Sequence, residues 1–405
     1  MMASVCSGGD NSETFPVSNG TKQGCVLAPV LFALFFSVML KHAFSDFDKG
    51  ISFQFRTSGG LLNLTGQSFR AKKKTRLELL RDFLFADDCA LIAHSVEEMQ
   101  EIVDKFSKAA SAFGLTISIK KTVLMHQPKP KTPPVGINSS DIKINGVSLE
   151  NVSKFCYLGG TVNSHATLDD EINTRIAKAS QAFGRLKHRL WEEHDIKLDT
   201  KISVYRSAIL SCLLYGAETW VPYFRHIKKL DSFHMRCLRS ICNIRWDDKR
   251  SNEYILTKCK ISGIESMLMK TQCRWAGHVV RMTEDRIPKI LLYGQQQLGK
   301  RKRGRPLLRY KDRLRHTLKA FEIDLNDWES LCLDKPRWRK LLHDKSKDFE
   351  RARQAHRKDL RRNADVRRQL PATRAITCEI CNFSARSKAG LRLHSRKHRS
   401  NETDY

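Results

Sequence analysis

The sequence predicts an α+β fold, and three observations carry that expectation. Between residues 83 and 119, short apolar runs flank a pair of acids and lead into a helical stripe, a strand–helix–strand succession. From Thr167 onward, apolar residues recur every three or four positions, the period of amphipathic helices. Near the end, Cys378-x2-Cys381-x12-His394-x3-His398 has the spacing of a small ββα unit.

Taken in order, residues 1–18 are a polar start with one strand, Thr14–Val17. The loop Asn19-Gly20-Thr21-Lys22-Gln23-Gly24 runs into the apolar segment Val26–Leu40. Pro29 suits the first turn of a helix reaching about His42, which reads as buried. Gly50–Leu64 reads as a hairpin turning at Gly59-Gly60, followed by a basic patch from Arg70 to Arg76.

Phe85-Ala86-Asp87-Asp88 then forms the tip of a tight hairpin between the apolar runs Phe83–Ala86 and Cys89–Ala93. Two adjacent acids between half-buried strands are costly unless solvent or a cation takes up their charge, and Mg²⁺ is the usual hard partner of carboxylates. A plain solvated turn is the competing reading.

From Val96 the positions Met99, Ile102, Val103, Phe106, Ala109, Ala110 and Phe113 make a helical stripe that Gly114 ends as a C-cap. Leu115–Ile119 reads as a short strand leading to Lys120 and Lys121. Pro128–Pro134 reads as a stiff linker, and Asn145-Gly146 as a type I′ turn. Thr167 is placed to cap a helix that carries Asp169, Asp170 and Glu171 in its first turn, and a second helical stretch follows at about Thr200–Leu214. Arg175, Lys178, Arg185, Lys187 and Arg189 fall on outer faces, suited to a duplex backbone or simply to a soluble basic surface.

Composition narrows the partners. The chain has 405 residues and a formal charge of +29, which makes an extended polyanion the first partner to consider. Nucleic acid fits better than a membrane, because Val26–Leu40 is interrupted by Pro29 and is shorter than the roughly 20 residues of a spanning helix. The start of the chain lacks the pattern of a signal peptide, which points to an intracellular setting. Twelve scattered cysteines read as mostly reduced, buried thiols. Lys300–Lys319 holds ten Lys or Arg against one Asp and is the most electropositive segment. Its Gly304-Arg305-Pro306 looks like an AT-hook core, but a nuclear-localisation or general nucleic-acid patch fits it better. Residues 337–370 form a second basic, helical stretch footed on Trp338, Leu341 and Leu342.

Four blocks in order, Asn19–Pro29, Phe85–Asp88, Phe113–Ile117 with Lys120-Lys121-Thr122, and Tyr157-Leu158-Gly159-Gly160, resemble the palm of a reverse transcriptase of the non-LTR (LINE-like) retrotransposon kind. The resemblance is close over about residues 15–165 and extends more loosely to about 290. It implies RNA-directed DNA synthesis on RNA and DNA template-primer with dNTP substrates and Mg²⁺. Asp87 and Asp88 would hold the cations, Gln23 and Gly24 would touch the templating base and incoming nucleotide, and Lys121 would protonate the leaving pyrophosphate. The family also has an aspartate on a strand several tens of residues before the glycine-glutamine loop. Here that loop begins at Asn19, and Asp10 sits in a Gly-Asp-Asn turn, so the resemblance implies an incomplete polymerase site. A nucleic-acid-binding remnant without turnover is the alternative.

Cys378, Cys381, His394 and His398 match a Cys2His2 zinc site. Leu391 stands at the core leucine position; the usual aromatic position holds Ala385, which leaves Phe383 to cover the small core. The expected division is a partial palm (1–165), a helical thumb-like region (166–290), a basic helical and linker segment (291–373) and the finger (374–401), in a nuclear protein.

Overall fold

The computed structural model describes residues 2–16, 25–56, 60–62, 75–128, 142–298, 307–369, 376–385 and 388–399. The chain divides into two units, Met1–Ser346 and Lys347–Tyr405. The loop Asn19–Gly24, most of the 70–76 basic patch, residues 129–134 of the linker and the cluster Lys300–Pro306 lie outside the described residues. The expected first strand is present as Phe15–Pro16, paired with Met2–Ala3.

Helix α1 (Ala28–Phe44) carries Pro29 in its first turn, where a missing N–H costs nothing. Phe36, Met39, Ala43 and Phe44 are buried against Ile102, Phe106, Ala109 and Ala110. The opposite face, with Val30, Leu31, Leu34, Phe35 and Val38, is exposed, so the expectation of a buried helix holds for one side only. Apolar residues surround this helix, and a single neighbouring helix covers one side of such a cylinder.

Strand β1 (Ile51–Arg56) pairs antiparallel with β2 (Thr75–Leu80), from Ile51↔Leu80 to Arg56↔Thr75. The strand partner therefore lies well beyond the turn expected at Gly59-Gly60. The other edge of β1 takes the short strand Gln295–Gln296, giving a three-stranded sheet closed by residues far apart in sequence. Glu329 accepts the Leu61 N–H at 2.6 Å, and Arg315 donates to the Leu62 carbonyl at 2.7 Å, so these two later residues bond to the same 60–62 segment that follows β1.

Strands β3 (Asp82–Phe85) and β4 (Asp88–Leu91) form the expected hairpin. Helix α2 (Val96–Ala112) follows, with the Ser95 hydroxyl accepting the Glu98 N–H at 3.2 Å. Gly114, at φ +71°, ends it as expected. Leu115–Ser118 pairs with no strand, and Ile119–Lys121 is a 3-10 turn, which corrects the strand expected at Leu115–Ile119. The alternation that suggested a strand is satisfied without a ladder, because Leu115, Ile117 and Ile119 pack onto the cores beneath α2. Asn145 and Gly146 both have positive φ, +50° and +82°, and close the hairpin Lys143–Ile144/Val147–Ser148 as a type I′ turn requires.

Strands β5 (Lys154–Tyr157) and β6 (Gly160–Asn163) make a second hairpin before the helical region. Helix α3 (Asp169–Arg185) starts one residue later than a Thr167 cap would place it; Leu168 takes the cap position, and the Thr167 hydroxyl instead accepts from the Asn163 amide at 3.0 Å. Helix α4 (Leu198–Val204) continues through a π-helical stretch to Leu213, and α5 (Phe224–Ile241), α6 (Asn252–Lys258) and α7 (Ile264–Val280) follow. Their common core includes Ile172, Ala179, Tyr205, Leu213, Leu230 and Leu268. Beyond lie α8 (Ile287–Tyr293), α9 (Tyr310–Ala320), α10 (Trp328–Leu333) and α11 (Lys335–Gln369). Trp338, a footing residue of the second basic stretch, is buried and donates its indole N–H to the Cys273 carbonyl at 3.1 Å. Gly277 leaves the space that this ring fills, since a Cβ there would collide with the indole.

In the second unit, β7 (Ile376–Thr377) and β8 (Ser384–Ala385) pair antiparallel before α12 (Lys388–Arg399), the expected ββα order. The scattered cysteines are free, as expected, yet Cys6, Cys25 and Cys156 are exposed rather than buried.

Candidate functional sites

The β3–β4 hairpin places its acids through a two-residue turn. Phe85 pairs with Asp88, so Ala86 and Asp87 form the turn and Asp88 opens β4. Ala86 takes φ +54°, a left-handed conformation that costs a non-glycine residue about 1 kcal/mol. Cys89, Leu91 and Ala93 pack against the core of α1 and α2 and hold the hairpin from below. Both carboxylates are exposed, and among the described residues neither joins an ion pair. Burial, reinforced by the charges of Asp82, Asp87 and Asp88, pushes the Cys89 thiol up to about 11, so it stays protonated beside the acids.

The β5–β6 hairpin comes against this one. The Tyr157 hydroxyl donates to the Phe83 carbonyl at 3.4 Å, and burial, with Asp88 next, raises its pKa. The following turn runs through Leu158 at φ +47° and Gly159 at φ +80°. Three side chains clamp it. The Tyr215 hydroxyl donates to the Leu158 carbonyl at 3.0 Å, Arg175 donates to the Gly159 carbonyl, and Glu171 accepts the Thr161 N–H at 2.7 Å. Arg175 and Glu171 form a buried ion pair at 2.6 Å, and the guanidinium lies 4.5 Å from the centre of the Tyr215 ring.

Arg175 therefore does not lie on an outer face, as expected from the sequence. A carboxylate one turn earlier, a turn carbonyl and an aromatic face satisfy it internally. The Glu171/Arg175 spacing of one helical turn was the available signal. Lys178, Arg185, Lys187 and Arg189 are exposed as expected.

Lys121 ends an exposed 3-10 turn, and no hydrogen bond or ion pair among the described residues joins it to Asp87 or Asp88. Gln23 and Gly24 lie outside the described residues. Among the described residues, no further carboxylate, histidine or cysteine completes a ligand group with Asp87 and Asp88. Two open carboxylates offer the oxygen donors of a hard cation, but a two-cation clamp needs more of them.

Cys378, Cys381, His394 and His398 do converge, with ligand atoms all within 4.8 Å of one another. Cys381 Sγ lies 2.9 Å from His394 Nε2, Cys378 Sγ lies 3.5 Å from His398 Nε2, and the two Nε2 atoms are 3.0 Å apart. A tetrahedron with Zn–S of about 2.3 Å and Zn–N of about 2.0 Å has edges of about 3.3–3.8 Å, which lie between the closest of these contacts and the 4.8 Å outer spacing, so the donor set fits zinc. Backbone N–H groups of Ile380 and Cys381 point at Cys378 and hold its thiol below the usual range. Phe383, itself half-exposed, stacks on the His394 ring at 4.2 Å, so it covers a candidate ligand ring and only partly fills the core position expected of it.

The electropositive segment divides. Of its described part, Arg309 pairs with Asp312 at 3.0 Å, and Lys311 donates to the carbonyls of Tyr293 at 3.2 Å and Gly294 at 3.4 Å. Arg315 also bonds inward, and Leu314, Thr317 and Leu318 are buried. Helix α9 is thus partly core, and two of its cations, Lys311 and Arg315, bond to carbonyl oxygens, while Lys319 is exposed.

Comparison with known proteins agrees with the palm. Residues 1–162 match the reverse transcriptase (RNA-dependent DNA polymerase) family. An uncharacterised transposon-derived protein of Caenorhabditis elegans is 25% identical over 266 residues, 64% of this chain and 94% of that protein. The RNA-directed DNA polymerase from mobile element jockey of Drosophila melanogaster is 22% identical over 247 residues, 59% of this chain but only 23% of that polymerase. The acid-tipped hairpin, the Tyr157 hairpin against it and these matches agree: residues 1–162 are a reverse transcriptase domain, in a chain similar to a transposon-derived protein and to a mobile-element polymerase.

Proposed function

We propose that the chain binds template and primer through its basic surface, that Asp87 and Asp88 are the acids of its polymerase centre, and that the chain alone does not extend a primer. The observation that carries this is the pair of exposed carboxylates, unpaired among the described residues, at a hairpin tip braced by Tyr157. Mg²⁺, when bound, would neutralise charge developing on the attacking and leaving oxygens. The protein's own part is to hold two carboxylates in fixed register on β4 and its turn, with Cys89 kept neutral beside them. Gln23 and Gly24 are assigned to the template base and dNTP, and Lys121 to the leaving group. The absence of a third ligand beside the pair, among the described residues, supports binding without turnover. The Cys/His cluster is assigned to zinc as a folding element, and the protein to the nucleus.

The test is primer extension by the purified chain on a primed RNA template with dNTPs and Mg²⁺. No product above background is expected, while binding should weaken steeply with salt because Lys and Arg displace counterions. Extension that disappears in Asp87→Ala would overturn the incomplete centre. Affinity that stays flat with salt would overturn the basic footprint.

A further inference from the structure

The loop between α5 and α6, residues 242–251, presents a tryptophan that its fold does not use. Trp191, Trp220, Trp328 and Trp338 are buried, whereas Trp246 is 89% exposed. Leaving a large side chain in water forgoes roughly 1.5–3 kcal/mol of burial.

The loop around it is closely tied. The Ile244 N–H donates to the Arg239 carbonyl at 2.9 Å, and the Arg245 N–H donates to Asp248 at 2.7 Å. Arg239 donates to the Arg250 carbonyl at 2.8 Å and to Asn252 at 2.9 Å, and Ser251 caps α6. Asn243 and Lys249 sit at positive φ, which sharpens the bends. Local hydrogen bonds therefore hold the backbone, and the indole is carried as cargo.

Its neighbours are cations. Arg245, Lys249 and Arg250 are exposed, and the Arg250 guanidinium lies 5.1 Å from the centre of the Tyr254 ring. Asp248 is engaged as a turn acceptor, leaving Asp247 as the opposing charge. A protein-binding tryptophan typically sits in an apolar setting depleted of Lys and Asp, whereas this loop sets the indole between Arg245 and Asp247, with Lys249 and Arg250 close behind. That pairing of an aromatic face with cations suits a single strand, whose bases offer stacking faces and whose phosphates offer charge.

We propose that this loop is a stacking platform for single-stranded nucleic acid, with a base on Trp246 and flanking phosphates met by Arg245, Lys249 and Arg250. It rests on the nucleic-acid-binding reading above and adds a named contact and a strand preference. A duplex hides its base faces, so the indole should matter little there.

The experiment is fluorescence anisotropy of the full chain with a fluorescein-labelled single-stranded RNA of mixed sequence and with its duplex. Trp246→Ala should weaken single-strand binding by about 5- to 150-fold, the range of one lost stacking contact, and duplex binding by less than about 3-fold. Trp246→Phe should retain most of the affinity, and Arg245→Ala with Lys249→Ala should flatten the salt dependence. Unchanged melting temperatures, expected for so exposed a site, would show that the variants fold. If the parent chain binds the single strand and Trp246→Ala binds it equally well, the platform is overturned while nucleic-acid binding stands, leaving the indole to a protein partner. Equal losses on single strand and duplex would also overturn stacking. A parent chain that binds neither overturns this proposal together with the functional reading.

Discussion

Asp87 and Asp88 stand open on a hairpin tip, whereas Cys378, Cys381, His394 and His398 already surround one point. Both sets are ligand types, but the second is complete within 21 residues, and its helix brings the two histidines together by periodicity alone. The acids depend on elements that come from elsewhere: a core under β4, a tyrosine from another hairpin, and any further ligand from outside the described residues. A similar contrast runs through the cations. Arg175, Lys311 and Arg315 spend their donors on the protein, while Lys178, Arg185 and Arg189 are exposed and, among the described residues, join no ion pair. A locally completed site supports its own fold, and an open one is available to a ligand.

The largest test breaks the contrast at the finger. A peptide covering residues 374–401 should lose α12 when a chelator removes zinc, because metal binding worth about 10 kcal/mol or more supplies its folding energy. Circular dichroism reads the loss, and cobalt absorption reads the tetrahedral geometry. A helix that persists without metal would show that the cluster is not what organises this unit.

Next in size is Arg175→Ala, expected to cost about 3–5 kcal/mol in urea denaturation, since it strands Glu171 as a buried unpaired acid. A cost under about 1 kcal/mol would mean that the 157–160 turn holds itself and that Arg175 is merely enclosed.

Lys311 sharpens the comparison among the cations. Burial lowers its pKa from 10.5 to about 8. Between those values the unfolded chain holds the proton and the folded one releases it, so this group's contribution to stability increases as pH rises from about 8 to about 10.5. Lys311→Met lacks that group, so any stability advantage it has over the parent should shrink by about 2–3 kcal/mol between pH 7 and pH 10. A constant difference would place the Lys311 ammonium in water.

The smallest effect is expected at Phe383→Ala. Losing the ring stacked on His394 should weaken the zinc-bound form by about 1 kcal/mol, a few-fold in zinc affinity. No change would mean that the ligands alone order the finger.

The elements legible in advance were those whose signals are local. The cap and stripe of α2 with Gly114 behind it, the Asn145-Gly146 turn, the acid-tipped hairpin and the Cys/His spacing all rest on interactions among residues close in sequence. Leu115–Ile119 alternates like a strand, yet alternation reports which side chains face a core and not whether a partner strand lies alongside. Arg175 looked like a surface cation because a helical stripe identifies its apolar face, and a paired arginine beside that stripe is hidden from it.

By itself, then, the sequence determined the α+β character, the hairpin that bears Asp87 and Asp88, the zinc-type ligand set and the basic charge. Local backbone preference, side-chain periodicity and residue chemistry suffice for those. Tertiary structure decided that Thr75–Leu80 and Gln295–Gln296 flank β1, that Tyr157 lies against the acid hairpin, and that α9 turns Lys311 and Arg315 inward. It also left Trp246 in water. Each of these depends on which distant surfaces meet, and that choice is made by the packing of whole faces and the pairing of buried polar groups, which no short stretch of sequence contains.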